Sequence, residues 1–152
     1  MLIVCTSDSH NRIDVLERIK DQYPNADMYL DAGDSQRNEA ELDPFITVKG
    51  NCDYDSDVSA RYRILKAGEI NIFLFHGDRA LLSLDALAIT AKHNKCQMII
   101  HGHTHAPHYS FHNDVHILCP GSVSLPRTRM GRTYALININ NGLVDVEIVK
   151  VT

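Results

Sequence analysis

Three features common in other proteins are missing from this sequence, and each absence excludes a class of protein. The apolar run near the start, Leu2–Cys5, is far too short for a signal peptide or a membrane span, so we expect a cytoplasmic protein with no membrane partner. Clusters of lysine and arginine are also missing, and the net charge is -4 with a pI of about 6.1. Because such clusters hold phosphate backbones, we expect no nucleic-acid groove, and an anionic substrate would need help from a metal ion.

The third missing feature is any pairing among the cysteines. Cys5, Cys52, Cys96 and Cys119 are widely scattered with no Cys-x-x-Cys motif, which argues against a zinc knuckle or a disulfide framework and predicts four reduced thiols. What is present is an ordinary globular composition, with 44% hydrophobic and 22% charged residues. A chain of 152 residues with this composition predicts one domain, residues 1–152, with a proper core.

Short apolar and β-branched runs predict strands, and amphipathic stretches predict helices. The predicted strands cover residues 2–6, 27–31, 45–48, 61–66, 69–75, 97–100, 108–112, 115–118, 134–139 and 143–149. Helices are predicted from about 12 to 22 and from 81 to 93, the second with Leu81, Leu84 and Leu87 on one face. The turn at 140–142, Asn-Asn-Gly, is a strong signal for a hairpin between the last two strands.

Side chains that can bind a metal ion follow five of the predicted strands. Asp8 and His10 come after the first strand, and residues two apart in an extended segment point the same way. The remaining donors at strand ends are Asp34, Asn51, His76, His103 and His105. In open α/β sheets ligands bind at the carboxyl ends of the strands, so these positions favour a functional site.

Each of these residues also has a purely structural explanation. Asp8 or Ser9 can cap the helix that follows, and Gly50-Asn51 can be a plain turn. A lone histidine at a strand end is more often a hydrogen-bonded polar residue than a metal ligand. Asp31 is interpreted as a supporting or structural residue.

The seven donors taken together are a more specific signal for a metal site than any one of them alone. One metal ion needs about three or four protein ligands, so these donors are too many for one ion and fit two ions that share a carboxylate. Asp34 is the natural bridge because a carboxylate has two oxygens. Such a pair of ions would clamp phosphoryl oxygens and provide hydroxide near neutral pH.

The ordered motifs Asp-x-His, Gly-Asp, Gly-Asn-x-Asp, His-Gly and Gly-His-Thr-His resemble those of the calcineurin-like metallophosphoesterases, closest to the small YfcE-type phosphodiesterases. The match spans residues 8 to about 127, and Gly-Ser-Val-Ser-Leu-Pro-Arg at 121–127 is similar to that subgroup's closing signature. The resemblance implies a four-layer α/β/β/α sandwich. Relatives often form dimers or tetramers, so a homo-oligomer is one alternative for this chain, and its sequence does not specify the oligomeric state. The resemblance also implies two divalent ions, with manganese as the first choice and iron, zinc, nickel and magnesium as alternatives.

The resemblance assigns roles to individual residues. It implies one ion held by Asp8, His10, Asp34 and His105, and a second held by Asp34, Asn51, His76 and His103. His101 is no ligand in this interpretation. The expected reaction is hydrolysis of a small phosphodiester, in which metal-bound hydroxide attacks phosphorus in line while Asn51 and His103 help to fix the phosphoryl oxygens.

Two departures from the family pattern concern cysteines. Cys52 takes a catalytic position at which many relatives have histidine, and a thiol is a poor general acid. This favours a diester or an aryl ester over a phosphomonoester. Cys119 stands where the subgroup usually has asparagine, which affects a supporting hydrogen bond and no metal ligand. Arg127 is expected to bind the anionic substrate, with a structural ion pair as an equal alternative.

Two rival functions remain open. A retromer subunit resembles the same enzymes yet acts as a protein-binding scaffold, so a catalytically weak or inactive scaffold is the alternative. A zinc hydrolase of the metallo-β-lactamase type needs His-x-His-x-Asp-His, and the segment 103–108 lacks the aspartate. Metal analysis together with an assay in added manganese would separate the three functions.

Overall fold

The fold of residues 1–152, described by a computed structural model, contains ten strands and two α-helices. In chain order the elements are β1 (Leu2–Thr6), α1 (Ile13–Gln22), β2 (Met28–Asp31), β3 (Phe45–Thr47), β4 (Tyr62–Ala67), β5 (Ile70–Phe75), α2 (Leu84–His93), β6 (Met98–Ile100), β7 (His108–His112), β8 (Val115–Cys119), β9 (Thr133–Asn140) and β10 (Leu143–Lys150). A short 3-10 turn at Glu39–Leu42 precedes β3.

The strands form two sheets of five. The first sheet has the order β10-β9-β1-β2-β3, and the second has the order β4-β5-β6-β8-β7. In the first sheet β1, β2 and β3 are parallel, and in the second β5, β6 and β8 are parallel. The carboxyl ends of each parallel set therefore meet at one edge of its sheet, where the sequence predicts the metal-binding side chains.

The largest apolar core lies between the two sheets. It joins Cys5 and Leu30 of the first sheet to Leu74, Met98 and Ile100 of the second, all of them buried. These strands read as continuous apolar runs because both of their faces are covered. The inner faces of the two sheets are thus held together by the hydrophobic effect, and the loops at their edges are brought to a common place.

Each helix covers the outer face of one sheet. On the first sheet, Val15, Leu16 and Ile19 of α1 pack with Val4 and Tyr29. On the second sheet, the buried apolar face of α2 packs with side chains of β5, β6 and β8. The order of layers is helix, sheet, sheet, helix, which confirms the predicted α/β/β/α architecture. Neither helix is long and apolar enough to cross a membrane.

The second helix begins later than predicted. It starts at Leu84, because the hydroxyl of Ser83 accepts a hydrogen bond from the backbone N–H of Ala86 and so caps the first turn. Leu81, predicted on the buried helical face, lies before the helix and is 81% exposed. The apolar spacing of Leu81, Leu84 and Leu87 was therefore misleading at its first position.

Candidate metal centre

One half of the centre is built around the carboxylate of Asp8, just beyond β1. Its Oδ1 lies 3.1 Å from Nε2 of His105, 3.8 Å from Nε2 of His76 and 3.9 Å from Nε2 of His10. The other oxygen, Oδ2, accepts hydrogen bonds from the Ser7 hydroxyl and from the backbone N–H of His103. Asp8 and the Gly-His-Thr-His loop of the second sheet are therefore in direct contact.

The other half of the centre lies between β2, β3 and β5. Nε2 of His76 is 3.2 Å from Oδ2 of Asp34 and 3.1 Å from Oδ1 of Asn51. The same Asn51 oxygen is 3.1 Å from Nδ1 of His103. The structure thus brings together all seven side chains that the sequence singled out.

Carboxylate, imidazole and thiol atoms of the centre form three compact groups, within each of which they lie no more than 4.8 Å apart, and His103 belongs to none of them. The groups are Asp8 with His10 and His105, Asp8 with Asp34 and His76, and His10 with Asp34 and Cys52. Each carboxylate belongs to two of the three groups. Both Asp8 and Asp34 consequently have the placement that a shared ligand would need.

Hydrogen bonds fix the orientation of three of the imidazoles. Nδ1 of His76 lies 2.7 Å from the carbonyl oxygen of Ala32, and Nδ1 of His105 lies 2.6 Å from that of Leu125. Nδ1 of His10 is 3.1 Å from the side-chain oxygen of Gln36. Because carbonyl oxygens only accept hydrogen bonds, each Nδ1 carries the proton, and in the neutral ring the lone pair of Nε2 points into the centre.

The donor set fits a cation. Asp8 Oδ1 is buried and accepts no hydrogen bond, although an uncompensated buried carboxylate oxygen is costly. It faces the Nε2 atoms of three histidines, and two of these, on His10 and His105, are only 3.3 Å apart. A divalent ion would satisfy this group of lone pairs, and imidazole nitrogen with carboxylate oxygen suits manganese, iron or zinc.

The pKa shifts reflect charge pairing between the carboxylates and the imidazoles of the centre. Burial alone would lower the pKa of His76, but Asp34 and Asp8 raise it to about 9. Burial would raise the pKa of Asp34, yet His76 and the backbone N–H of Cys52 hold it at about 2. Asp8 also raises the pKa of His105. Protonated imidazoles and metal ions are alternative ways to balance the same two carboxylates.

Two glycines allow the loops to approach one another so closely. A Cβ on Gly50 would overlap the side chain of Asp34 and would lie 2.7 Å from its backbone nitrogen. A Cβ on Gly102 would overlap the hydroxyl of Ser7 and would lie 2.8 Å from Asp8 Oδ2. The glycines of the Gly-Asn and Gly-His motifs are therefore required by space, since any side chain would displace a carboxylate.

Five of the donor residues adopt a left-handed backbone conformation. The φ angles are 53° at Asp8, 44° at His10, 58° at Asp34, 70° at His103 and 57° at His105. A non-glycine residue costs about 1 kcal/mol or more in this region, and such residues persist only where their surroundings hold them. The strain turns the side chains toward one point, as expected of a functional site.

Asp53, which was not predicted among the site residues, organises the centre. Its buried carboxylate accepts hydrogen bonds from the backbone N–H groups of Asp34, Gln36 and Gly50. Asp53 thereby joins the loop after β2 to the loop after β3. The available signal was its place at the end of the Gly-Asn-x-Asp motif.

Two serines that follow β8 hold the backbone of Asp8. The hydroxyls of Ser122 and Ser124 both donate hydrogen bonds to the backbone carbonyl of Asp8, at 2.8 and 2.9 Å. They belong to the Gly-Ser-Val-Ser segment, which the sequence indicated only as a signature.

Asp31 accepts hydrogen bonds from Thr6, Thr47 and the backbone of Gly33, so it joins three strands of the first sheet and supports the loop.

The remaining predicted residues lie at the margin of the centre. Cys52 is half-buried, its backbone N–H donates to Asp34 Oδ1, and burial together with the nearby carboxylates raises the pKa of its thiol to about 11. Arg127 is exposed, and its backbone N–H donates to the carbonyl of His105. His101 is buried outside all three donor groups, with Nδ1 2.9 Å from the carbonyl of Gly102.

Comparison with known proteins identifies a family for most of the chain. Residues 1–142 match the calcineurin-like phosphoesterase superfamily domain. The chain is 30% identical to YsnB of Bacillus subtilis, a probable metallophosphoesterase, over 96% of this chain and 89% of that protein.

Solved structures share the fold at lower sequence identity. A predicted phosphoesterase from Streptococcus pneumoniae superposes with a TM-score of 0.88 at 24% identity, covering 98% of this chain and 88% of that one. The phosphoesterase YfcE of E. coli gives 0.69 at 19% identity, and Vps29 of Entamoeba histolytica in complex with zinc gives 0.72 at 20% identity. Each of these two covers the whole of both chains.

Proposed function

Because the chain belongs to the calcineurin-like phosphoesterase superfamily, we propose that it is a phosphodiesterase that uses two divalent metal ions, manganese first among them. The observation that carries the proposal is the buried Asp8 Oδ1, which accepts no hydrogen bond and faces three imidazole nitrogens. A site built only for structural hydrogen bonding would give this oxygen a donor.

We assign the donors to two overlapping sets. Asp8, His10, Asp34 and His105 would hold one ion, and Asp34, Asn51, His76 and His103 would hold the other. The contacts of Asp34 with His76 and of Asn51 with both His76 and His103 support the second set. Asp8 lies as close to His76 as to His10, so it contributes charge to both positions.

When bound, such a pair of ions lowers the pKa of a water molecule and neutralises the charge on the phosphoryl oxygens. The protein supplies position and orientation. Asn51 is exposed and His103 is half-buried, so their polar groups can reach the phosphoryl oxygens. His76 is 1% exposed and its Nδ1 is hydrogen-bonded to the carbonyl of Ala32, so its ring has a fixed orientation in the site.

In the reaction a water oxygen bonds to phosphorus while the bond from phosphorus to the leaving alcohol breaks. The leaving oxygen must then gain a proton. The thiol of Cys52, with its pKa raised to about 11, is a weak proton donor at neutral pH. The arrangement therefore favours esters whose leaving group needs little protonation, such as aryl phosphodiesters, over alkyl phosphomonoesters.

The test is hydrolysis of bis-p-nitrophenyl phosphate by the purified protein in manganese and in chelator. Asp34→Asn removes a carboxylate from both donor sets, so we expect its kcat to fall by roughly 10³-fold and its metal content to decrease. His93→Ala, which changes an exposed histidine on α2, should keep the activity of the unmodified protein. Full activity of Asp34→Asn, whether or not its metal content has decreased, would refute the mechanism.

The second candidate function is that of a scaffold that binds protein partners. The fold likeness to Vps29, whose zinc complex shares the whole architecture, favours keeping this candidate. A scaffold would bind manganese with no turnover of any phosphodiester. An active wild-type protein with an inactive Asp34→Asn variant would exclude it as the sole function.

A further inference from the structure

A cavity of about 220 Å³ adjoins the candidate metal centre. It is lined by Asn11, Gln36, Cys52, Tyr54, Asp55 and Ser56. Its volume is below that of pockets that enclose drug-sized ligands, so it fits a small substituent. None of the roles assigned to the metal-binding side chains accounts for this space.

The cavity and the centre share a wall. The backbone N–H of Cys52 donates to Asp34 Oδ1 at 2.8 Å, and the thiol belongs to the donor group of His10 and Asp34. Gln36 contacts His10 on the same side at 3.1 Å. A substituent attached to a phosphoryl group at the centre can therefore extend past Cys52 into the cavity.

The lining has a distinct chemical character. The lining residues include the acidic Asp55 and the aromatic Tyr54, together with amide and hydroxyl residues, and they include no lysine, arginine or histidine. Two arginines, Arg12 and Arg37, directly follow lining residues in the sequence. Both already form ion pairs, Arg12 with Asp14 at 2.8 Å and Arg37 with Glu41 at 3.2 Å. The cavity therefore offers no basic side chain that could bind a second phosphate or a carboxylate of the substrate.

Asp55 is the acidic residue of its loop that is left free. Asp53 accepts hydrogen bonds from three backbone N–H groups, and Asp57 accepts one from Glu39. Asp55 contacts neither a hydrogen-bond donor nor a cation of the chain, and the adjacent Tyr54 is 73% exposed. An acidic and an aromatic residue that line one cavity are the combination that binds an ammonium group, by charge and by cation–π attraction.

We propose that this cavity binds an ammonium group on one alcohol of the substrate, with Asp55 and Tyr54 as the specificity-determining residues. The preferred substrate is then a phosphodiester of an amino alcohol, and diesters with further negative charge are disfavoured. This inference rests on the proposed phosphodiesterase function. It adds to that function which of many phosphodiesters the site selects.

The experiment compares three p-nitrophenyl phosphodiesters in manganese. Their second alcohol is choline, the uncharged analogue 3,3-dimethylbutanol, or 4-hydroxybutanoate. We expect kcat/KM for the choline ester to exceed that for the uncharged ester by about tenfold, and the anionic ester to be the poorest. Equal values for the choline and uncharged esters would overturn the inference while leaving the phosphodiesterase function intact.

Variants connect the preference to the cavity. Asp55→Asn should reduce the ratio of choline to uncharged ester to about twofold or less, and Tyr54→Leu should reduce it about threefold. Asp145→Asn, which removes the same charge from an exposed position on β10, should leave both rates and their ratio unchanged. An unchanged ratio in Asp55→Asn would overturn the assignment.

If none of the three diesters is hydrolysed, the phosphodiesterase function is refuted. A binding measurement then tests the role of the cavity separately. Calorimetric titration with phosphocholine and with 3,3-dimethylbutyl phosphate compares the same two groups without turnover. Tighter binding of phosphocholine that is lost in Asp55→Asn would support the cavity's role. Equal or undetectable binding of both compounds would overturn it.

Discussion

The two sheets contribute different chemistry to the candidate metal centre. Loops of the first sheet carry Asp8, His10, Asp34 and Asn51, and loops of the second carry His76, His103 and His105. All the oxygen donors thus come from one sheet, and the other offers only imidazole nitrogen. Neither sheet alone has both the negative charge and the number of donors that two divalent ions need.

This division makes the centre depend on how the sheets pack. The distance between Asp8 Oδ1 and His105 Nε2 spans the junction, as does that between Asp34 Oδ2 and His76 Nε2. The apolar core between the sheets sets both distances. Bound ions would in turn hold the sheets together, so metal affinity and stability should change in parallel.

Among changes that test the packing of the two sheets, the largest effect is expected where their loops touch. In Gly102→Ala the new methyl group would overlap Ser7 and displace the Asp8 carboxylate, without backbone strain, because Gly102 has no positive φ. We expect a loss of about 1–3 kcal/mol in the free energy of unfolding and of roughly 10²-fold in kcat. Chemical denaturation and the diester assay measure the two losses.

Gly131→Ala is the matched control for this change. Gly131 has φ of 79°, but a Cβ there would have no neighbour within 4 Å. It should cost about 1–2 kcal/mol through backbone strain and leave kcat and metal binding as they are. If Gly102→Ala behaved in the same way as Gly131→Ala, the close approach of the two loops would not matter for the site.

The next effect is the loss of thermal stability when metal is removed, which is expected to leave the packing of the loops unchanged. Each manganese site that is filled at about 100 times its Kd should add about 2.7 kcal/mol, so filling one site should raise the Tm by roughly 5–10 °C over the value in chelator. Scanning calorimetry of the wild-type protein and of Asp34→Asn measures this shift. A shift of full size in Asp34→Asn would show that the stabilising metal binds elsewhere.

The smallest effect concerns the partners that orient the imidazoles. In the second sheet His76 and His105 are held by backbone carbonyls, whereas His10 of the first sheet is held by the side chain of Gln36. Gln36→Asn tolerates the φ of 59° but is too short to reach His10, so we expect manganese affinity to fall about tenfold. Spectroscopic titration of free manganese measures the change.

Gln22→Ala, at the end of α1, serves as the control for that titration and should bind manganese as the wild-type protein does. An unchanged affinity in Gln36→Asn would mean that the hydrogen bond to His10 has no orienting role. At saturating manganese the activity of Gln36→Asn should be close to normal, which separates loss of affinity from loss of chemistry.

The sequence predicted the strands well because their signals are local. The bounds of β1 agree residue by residue with the apolar run Leu2–Thr6. The hairpin between β9 and β10 turns at Asn141 and Gly142, whose φ angles of 50° and 76° are those that the Asn-Gly dipeptide favours. The predicted start of α2 was wrong because Ser83 caps the first turn, so the helix begins at Leu84 and does not include the apolar residue Leu81.

The convergence of the donor residues also followed from the sequence, since every one of them ends or follows a strand. The supporting contacts did not. The carbonyls of Ala32 and Leu125 orient His76 and His105 through backbone atoms, which leave no trace in residue identity. The bonds of Asp53 to three backbone N–H groups depend on the loop conformation, which spacing alone cannot predict.

The hydrogen bonds from Ser122 and Ser124 to the carbonyl of Asp8 bear on how the protein is made. A nascent chain that has reached His105 on the ribosome already contains every donor, yet it lacks β9, which pairs with β1. Until the last third emerges, β1 has only β2 beside it and the Asp8 loop lacks its two serines. Metal loading should therefore wait until the two serines and β9 have emerged, and a fragment ending at residue 105 should not bind the ions.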